Sequence, residues 1–352
     1  MIGNIKDIRE TDVKGKNVLL RCDLDVPLKE EGGKAVIADD TRLKSWLPTL
    51  EYLLSNQANL TIAGHLGRPN GRMEKFSLRP VADWLASQLE LHNEISPFSK
   101  NGFDGWKVEK NVFLLENLRF YKEEEENDND FAQSLSKGYD LYVNDAFAVS
   151  HRNDASVVAI TKFLPHFAGI RLQEEIKNLS AVITNPKRPL VVVIGGAKIE
   201  TKLPMVEKMH KLADYVLVGG EIAEQDQVLM KVAHEKTEGV KSELLIGELL
   251  PSRKDITEDA IEKFLQTIYQ AQTIVWNGPM GLFEEGFDKG TKDIAEGISK
   301  TSAFTVAGGG DTISFLKEHQ LLHKFSFVSM GGGAMLNFLA GETLPGLEAL
   351  VD

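Results

Sequence analysis

Five apolar runs in the second half of the chain each end in a glycine-rich or Gly-Pro turn. They are LVVVIGGAK (190–198), YVLVGG (215–220), TIVWNGPMG (273–281), FTVAGGGDT (304–312) and FSFVSMGGGA (325–334). The stretches between them are mostly helix-like, so the pattern predicts parallel strands with glycine at their carboxyl ends. Those ends are where an open α/β sheet binds ligands, and glycine lets backbone N–H groups approach phosphate closely. The first half repeats the strand-then-loop plan as LLRCDLDVP, IAGHLGRP, FLLENLRF and YVNDAFAVSHR. Its loops carry acid, arginine and histidine instead of glycine. One half suits a nucleotide and the other a small anion.

A length of 352 residues predicts about two domains, each able to bury its own core. The net charge of −12 argues against a nucleic-acid or anionic-membrane surface. It also requires any arginines that serve an anionic ligand to be gathered locally. The start, MIGNIKDIRE, has no apolar signal core, and no apolar run approaches membrane-spanning length. The sole cysteine, Cys22, excludes an internal disulfide and suits a reducing compartment, so a cytoplasmic protein is expected. Its place inside a strand pattern favours packing over reactivity.

VLLRCDLDVPL (18–28) reads as the first strand, broken at Pro27, with a turn around Glu31-Gly32-Gly33. DDTRLKSWLPTLEYLLSN reads as one amphipathic helix starting near Asp39, Asp40 or Thr41. LRPVADWLASQLE (78–90) is a second helix, and FAQSLSKG closes a third on Gly138. KEEEENDND (122–130) reads as a solvated face or a helix entry. The expected division is an acid-substrate domain over 1–170 with 341–352 packing back on it, a connecting helix over 171–186, and a nucleotide domain over 187–340. The fold class expected is α/β: two Rossmann-like three-layer domains with parallel sheets facing a cleft.

Neither a GxxxxGK[ST] loop nor a GxGxxG fingerprint occurs. GGAKIETK (195–202) instead places Lys198 and Lys202 at i,i+4 at the start of a helix, either on phosphate or simply solvated. GGGDT (308–312) puts Asp311 at a helix amino end, as a magnesium ligand or as a plain N-cap. GGGA (331–334) is a third such entry. In the first half Arg42, Arg68, Arg119 and Arg152 fall within or just beyond the loops that end strands, with His65 and His151 beside them. Arg21 lies inside a strand pattern. Arginine's planar fork suits carboxylate and phosphate, and several forks suit a ligand carrying both. Asp23 and Asp25 alternate on one face, where they could accept hydrogen bonds from a hydroxylated ligand. No CxxC spacing, GxSxG elbow or Cys–His pair is present.

These segments, with DDTRLKSWLPT, NPKRPLVVVIGGAKIETK, WNGPMGLFE and LPGLEAL, stand in the order of a known family. The chain resembles phosphoglycerate kinase along most of its length. The resemblance implies magnesium-dependent, reversible phosphoryl transfer between ATP and the carboxylate of 3-phosphoglycerate, giving ADP and 1,3-bisphosphoglycerate, in a monomer whose hinge closes. For the acid substrate it implies Asp23, Leu24, Asp25, Arg42, His65, Leu66, Gly67, Arg68, Arg119 and Arg152. For the nucleotide it implies Gly196, Ala197, Lys202, Gly219, Gly220, Asn277, Pro279, Glu284, Gly309, Gly310, Asp311 and Thr312, with Asp311 on Mg2+. The transferred group would meet Arg42, Lys198 and the amides of Gly331, Gly332 and Gly333.

The chain departs from the family pattern at three places. The usual DxNxP is Asp23-Leu24-Asp25-Val26-Pro27, and the usual H-R-x-H is His151-Arg152-Asn153-Asp154. Each exchange adds a carboxylate to an anion site, which should weaken an anionic substrate unless an arginine or a proton compensates. The stretch between 221 and 275 is short by roughly one βα unit, and the adenine-side DIGxxT turn survives only as Asp255–Ala260. A working, trimmed kinase is the first expectation. The competing one is a non-catalytic relative that binds a phosphorylated metabolite or a protein partner.

Overall fold

The structure, a computed structural model, describes residues 3–90, 94–196, 203–225 and 241–351. It divides into two compact units, Met1–Glu174 with Leu344–Asp352, and Glu175–Thr343. Each unit is a mixed α/β body built on one main sheet.

The first unit holds strands β1 (Asn17–Arg21), β4 (Asn59–Ala63), β5 (Ser96–Lys100), β6 (Phe103–Glu109), β7 (Val112–Leu115), β8 (Leu141–Asn144) and β9 (His166–Ala168), in the order β5-β6-β7-β4-β1-β8-β9. From β7 to β9 the pairing is parallel. The two strands at the far edge depart from that pattern. β6 runs antiparallel to both of its neighbours. Asn101-Gly102, both at positive φ, make the two-residue turn that reverses the chain between β5 and β6. A second hairpin pairs β2 (Leu28–Glu31) with β3 (Lys34–Ile37) across Gly32-Gly33.

Two local expectations need correction. The helix expected over residues 39–56 is two pieces, Thr41–Ser45 and Leu47–Ser55, broken at Trp46. Pro48 lacks an N–H and suits the first turn of a helix, so the second piece begins there. The acidic run 122–130 is a helix entry, with Asp128 accepting the Phe131 N–H at the start of helix Asn129–Ser136, but it is not a wholly solvated face. Helix Lys122–Glu125 turns Glu124 inward to 0% exposure.

The second unit has six parallel strands among the described residues: β10 (Leu190–Ile194), β11 (Tyr215–Val218), β12 (Glu243–Ile246), β13 (Thr273–Asn277), β14 (Phe304–Gly308) and β15 (Phe327–Ser329). Their order is β12-β11-β10-β13-β14-β15. All five residues of β10 and of β13 are buried, as central strands covered on both faces must be. The order in which successive strands are added switches sides between these two parallel strands. The equivalent switch in the first unit lies between β1 and β8, and such switch points are where open sheets leave a crevice.

Helix Ile170–Thr184 carries the chain from one unit to the other. At its amino end the Asp145 carboxylate accepts the Leu172 N–H at 2.9 Å, and Thr49 Oγ1 accepts the Ile170 N–H at 2.9 Å. The tail Leu344–Asp352 belongs to the first unit, where the Gly346 N–H donates to Ser150 O.

Candidate active site

At the switch point of the first unit, β1 ends in Arg21 and the chain continues through Cys22 and Leu24, both buried, to Asp25. Asp23 is 4% exposed and lies 3.3 Å from an Arg42 nitrogen. Burial raises the Asp23 pKa above the usual carboxylate range, and Arg42 opposes that rise. Arg42, held chiefly by Asp23, is raised in turn. Asp25 uses one oxygen to accept the Gly67 N–H at 2.8 Å, while the other lies 3.9 Å from His65 Nε2. Asp25 therefore ties the β1 loop to the loop after β4.

That second loop, His65 to Arg68, is held from below. Asn117 donates to Leu66 O and to Phe76 O, and Arg119 donates to Gly67 O at 2.9 Å. Gly67 sits at φ +63°, and a Cβ there would run into the Phe76 ring, so only glycine fits. Arg119 is 3% exposed. Its guanidinium lies 3.4 Å from Asp154 and 3.5 Å from Glu125. His65 is 1% exposed; burial first, then Arg21, Arg119 and Arg42, push its pKa well below the ordinary imidazole value. It is neutral at neutral pH. Arg68 is exposed and Arg152 partly so, and neither makes an ion pair among the described residues.

In the second unit the turns after β10, β11 and β13 meet backbone to backbone. The Gly196 N–H donates to Pro279 O at 2.8 Å, and a Cβ on Gly195 would lie 2.0 Å from that same oxygen. Gly219 and Gly220 close the same cluster: a Cβ on Gly220 would lie 2.6 Å from Gly196 N. Thr312 Oγ1 accepts the Gly278 N–H at 2.8 Å, which fastens the Gly278-Pro279 turn to helix Gly310–Glu318. Asn277 Nδ2 is buried at the end of β13, without a hydrogen-bond partner among the described residues, beside Gly309. The first N–H groups of helices Gly310–Glu318 and Gly333–Ala340 have no intrahelical acceptor, as at any helix start. A Cβ on Gly310 or Gly332 would meet nothing within 4 Å, so both backbones border open space. Gly331 is buried, with its N–H on Ser329 Oγ.

Asp311 is exposed in the first turn of its helix, and Glu284 is exposed in the short turn Phe283–Glu285. One carboxylate of this kind fits Mg2+ that arrives on a phosphate chain, since magnesium keeps few protein ligands. Among the described residues no group of three or more His, Cys, Asp or Glu forms a cage of its own. Ala197, Lys198 and Lys202 lie outside the described residues. Asp255, from the remnant of the adenine-side turn, accepts the Gly290 N–H at 2.9 Å and so secures the start of helix Lys289–Ser299.

Comparison with known proteins accords with this geometry. A family model described as phosphoglycerate kinase matches residues 8–243 and 225–342. The chain belongs to the phosphoglycerate kinase family. It is 39% identical to the phosphoglycerate kinase of Desulforudis audaxviator and 37% identical to that of Leptospira biflexa, each over 98% of both chains. The solved phosphoglycerate kinase of Coxiella burnetii superposes with a TM-score of 0.82 at 30% identity, covering 99% of both chains. Membership makes the chain a phosphotransferase. The Desulforudis alignment runs over 390 positions against 352 residues here, so the relative carries segments this chain lacks. The two matched stretches overlap at 225–243, inside the region where the sequence is short.

Sequence reading gave no site role to four residues that the structure puts to use: Arg21, Glu124, Asp145 and Ser156. A signal existed for one of them. Arg21, Asp23 and Asp25 are spaced two apart, which sets them on one face of an extended chain.

Proposed function

We propose that the chain transfers a phosphoryl group reversibly between magnesium-bound ATP and the carboxylate of 3-phosphoglycerate. The observation that carries this reading is the pair of inward-turned guanidiniums, Arg42 and Arg119, at the strand ends of the first unit in a chain of net charge −12. Guanidiniums held there against so acidic a background call for an anionic ligand. The first unit is then the acid-substrate domain. Asp23 and Asp25 accept from the substrate hydroxyl. His65, Leu66, Gly67, Arg68, Arg119 and Arg152, with Leu24 behind them, hold its anionic ends. The second unit is the nucleotide domain, with Gly196, Ala197, Lys202, Gly219, Gly220, Asn277, Pro279, Gly309, Gly310 and Thr312 around nucleotide and phosphate, and Glu284 on the ribose. Asp311 would hold the magnesium ion, which neutralises phosphate oxygens when bound.

The accepting carboxylate is already ionised at neutral pH, so no general base is needed. Rate comes from alignment and from neutralising the charge spread over the moving phosphoryl. Arg42, Lys198 and the amides of Gly332 and Gly333 supply that neutralisation, whereas the expected part of the Gly331 amide falls away because its N–H is taken by Ser329 Oγ. The acidic balance argues against a nucleic-acid or anionic-membrane surface, and the family resemblance favours a cytoplasmic monomer.

An assay coupling ATP and 3-phosphoglycerate to product formation tests this directly. Turnover is expected in the wild type, with strong loss in Lys198→Ala and in Arg42→Ala. Wild-type activity no higher than that of these variants overturns the reading.

A further inference from the structure

We propose that Glu124, Ser156 and Arg21 are positioning residues that fix His65 as a neutral ring with its proton on Nε2, so that it offers the acid substrate a hydrogen-bond donor. The ligand in this statement rests on the function proposed above; the state of the ring does not.

The inference comes from following the donors. Arg21 is fully buried in β1, and a guanidinium has only donors to offer. Its Nε donates to Ser156 Oγ at 2.9 Å, and one terminal nitrogen donates to Cys22 O. The other terminal nitrogen lies 3.1 Å from His65 Nδ1. Nδ1 must therefore be the lone-pair nitrogen, because a proton there would oppose an N–H with another N–H.

The other end of the chain fixes Arg21. Ser156 Oγ accepts from Arg21, so its own proton goes outward, to Glu124 Oε1 at 2.5 Å. The Ser156 N–H donates to Glu124 Oε2 at 2.9 Å. Glu124 thus takes both donors of Ser156, and Tyr142 Oη donates to Ser156 O at 2.7 Å. Glu124, Ser156 and Arg21 are each 0–1% exposed, so water does not compete for these bonds. The donors diverge from Arg21, through Ser156 to Glu124 on one side and to His65 Nδ1 on the other, and the remaining ring proton falls on Nε2.

Nε2 is buried, without a hydrogen-bond partner among the described residues, 3.9 Å from Asp25 Oδ2. The charged groups around the ring are Arg21, Arg42, Arg119 and Asp25, three of them cationic. That balance, with burial, keeps the ring uncharged. A neutral donor in this place can serve an incoming oxyanion and can also soften the added carboxylate of Asp25.

Two-bond 15N–1H spectra of the imidazole rings, with His65 assigned by its loss in His65→Gln, test the proposal. The wild type should show the Nε2–H tautomer and no titration of His65 across the ordinary imidazole pKa of about 6.5. Ser156→Ala and Glu124→Gln should give mixed tautomers. They should also raise the KM for 3-phosphoglycerate roughly fivefold, the scale of one lost hydrogen bond, with the KM for ATP unchanged. Arg21→Lys, which keeps a donor, should restore more of the wild-type spectrum than Arg21→Ala. An Nδ1–H or charged ring in the wild type overturns the proposal, as does an unchanged spectrum in Ser156→Ala. Should the variants not fold, the wild-type spectrum alone decides. Absence of turnover with the expected tautomer sinks the proposed function and leaves this inference standing.

Discussion

Arg119 and Asp154 face each other at 3.4 Å, and both side chains are buried. Asp154 is one of the two acids by which this chain departs from the usual pattern of its family. The structure gives it a definite partner: it shares Arg119 with Glu125. Removing its charge while keeping an acceptor should release the guanidinium for the substrate. Asp154→Asn is expected to lower the KM for 3-phosphoglycerate by up to about tenfold, equivalent to about 1.4 kcal/mol. Initial rates at fixed ATP check this, and an unchanged or higher KM shows that Asp154 positions Arg119 rather than competing for it.

Arg42→Ala should act on rate and on stability together. Loss of one group that meets developing charge lowers kcat by about 10²–10³. The variant also removes the main cation against buried Asp23 and leaves only the weaker influence of Arg21. The folded-state pKa of Asp23, already raised by burial, should rise further. A carboxyl raised above its unfolded value favours the fold below that value and loses this contribution as pH rises through the folded pKa. The variant should therefore lose more stability than the wild type between pH 5 and pH 8, which thermal melts at the two pH values will show.

Asp145 gives a pH effect in the native chain. Burial is the chief cause that pushes its carboxyl up to about 7, despite the hydrogen bonds it accepts at the start of helix Ile170–Thr184. Its contribution is complete below pH 3.8 and disappears as pH rises through about 7. At most it amounts to about 4 kcal/mol, from about 1.4 kcal/mol per pKa unit. Asp145→Asn should flatten the fall in stability between pH 5 and pH 8. Urea titrations of both proteins across that window measure it, and parallel curves would remove the assignment.

Gly309→Ala probes the second unit. Gly309 has φ +93°, and a Cβ would lie 3.0 Å from Asn277 Nδ2, the buried amide nitrogen without a partner. The substitution strains the turn and crowds that donor, so the KM for ATP should rise by tenfold or more, on the order of 1–2 kcal/mol of backbone strain. The KM for 3-phosphoglycerate should stay within twofold, roughly the scatter expected for a site left untouched. Equal increases in both would point to unfolding instead.

Much of the fold could be read from the sequence because apolar runs such as Leu190–Ile194 and glycine turns such as Gly308–Gly310 report strand and strand end directly. Asp23 and His65 were legible for a similar reason, since they stand in short loops after such runs, and Arg42 because it follows the Asp39-Asp40-Thr41 helix start. The β5–β6 reversal depended on Asn101-Gly102, a strong two-residue hairpin signal within a stretch whose strands have mixed burial. Glu124 could not be found, because a run of four glutamates looks solvated. Only Ser156, 32 positions later, explains why one of the four turns inward. Pairings made across the fold leave no local trace.

The guanidiniums of Arg42 and Arg119 already rest against carboxylates of their own chain. An arriving anion must displace these internal counter-ions, and a departing one hands the cations back to them. The binding free energy is then a difference between two ion pairings instead of the full attraction of a bare cation. Such a site can select firmly for charge and shape yet let its product go, which suits a reaction that must run in both directions.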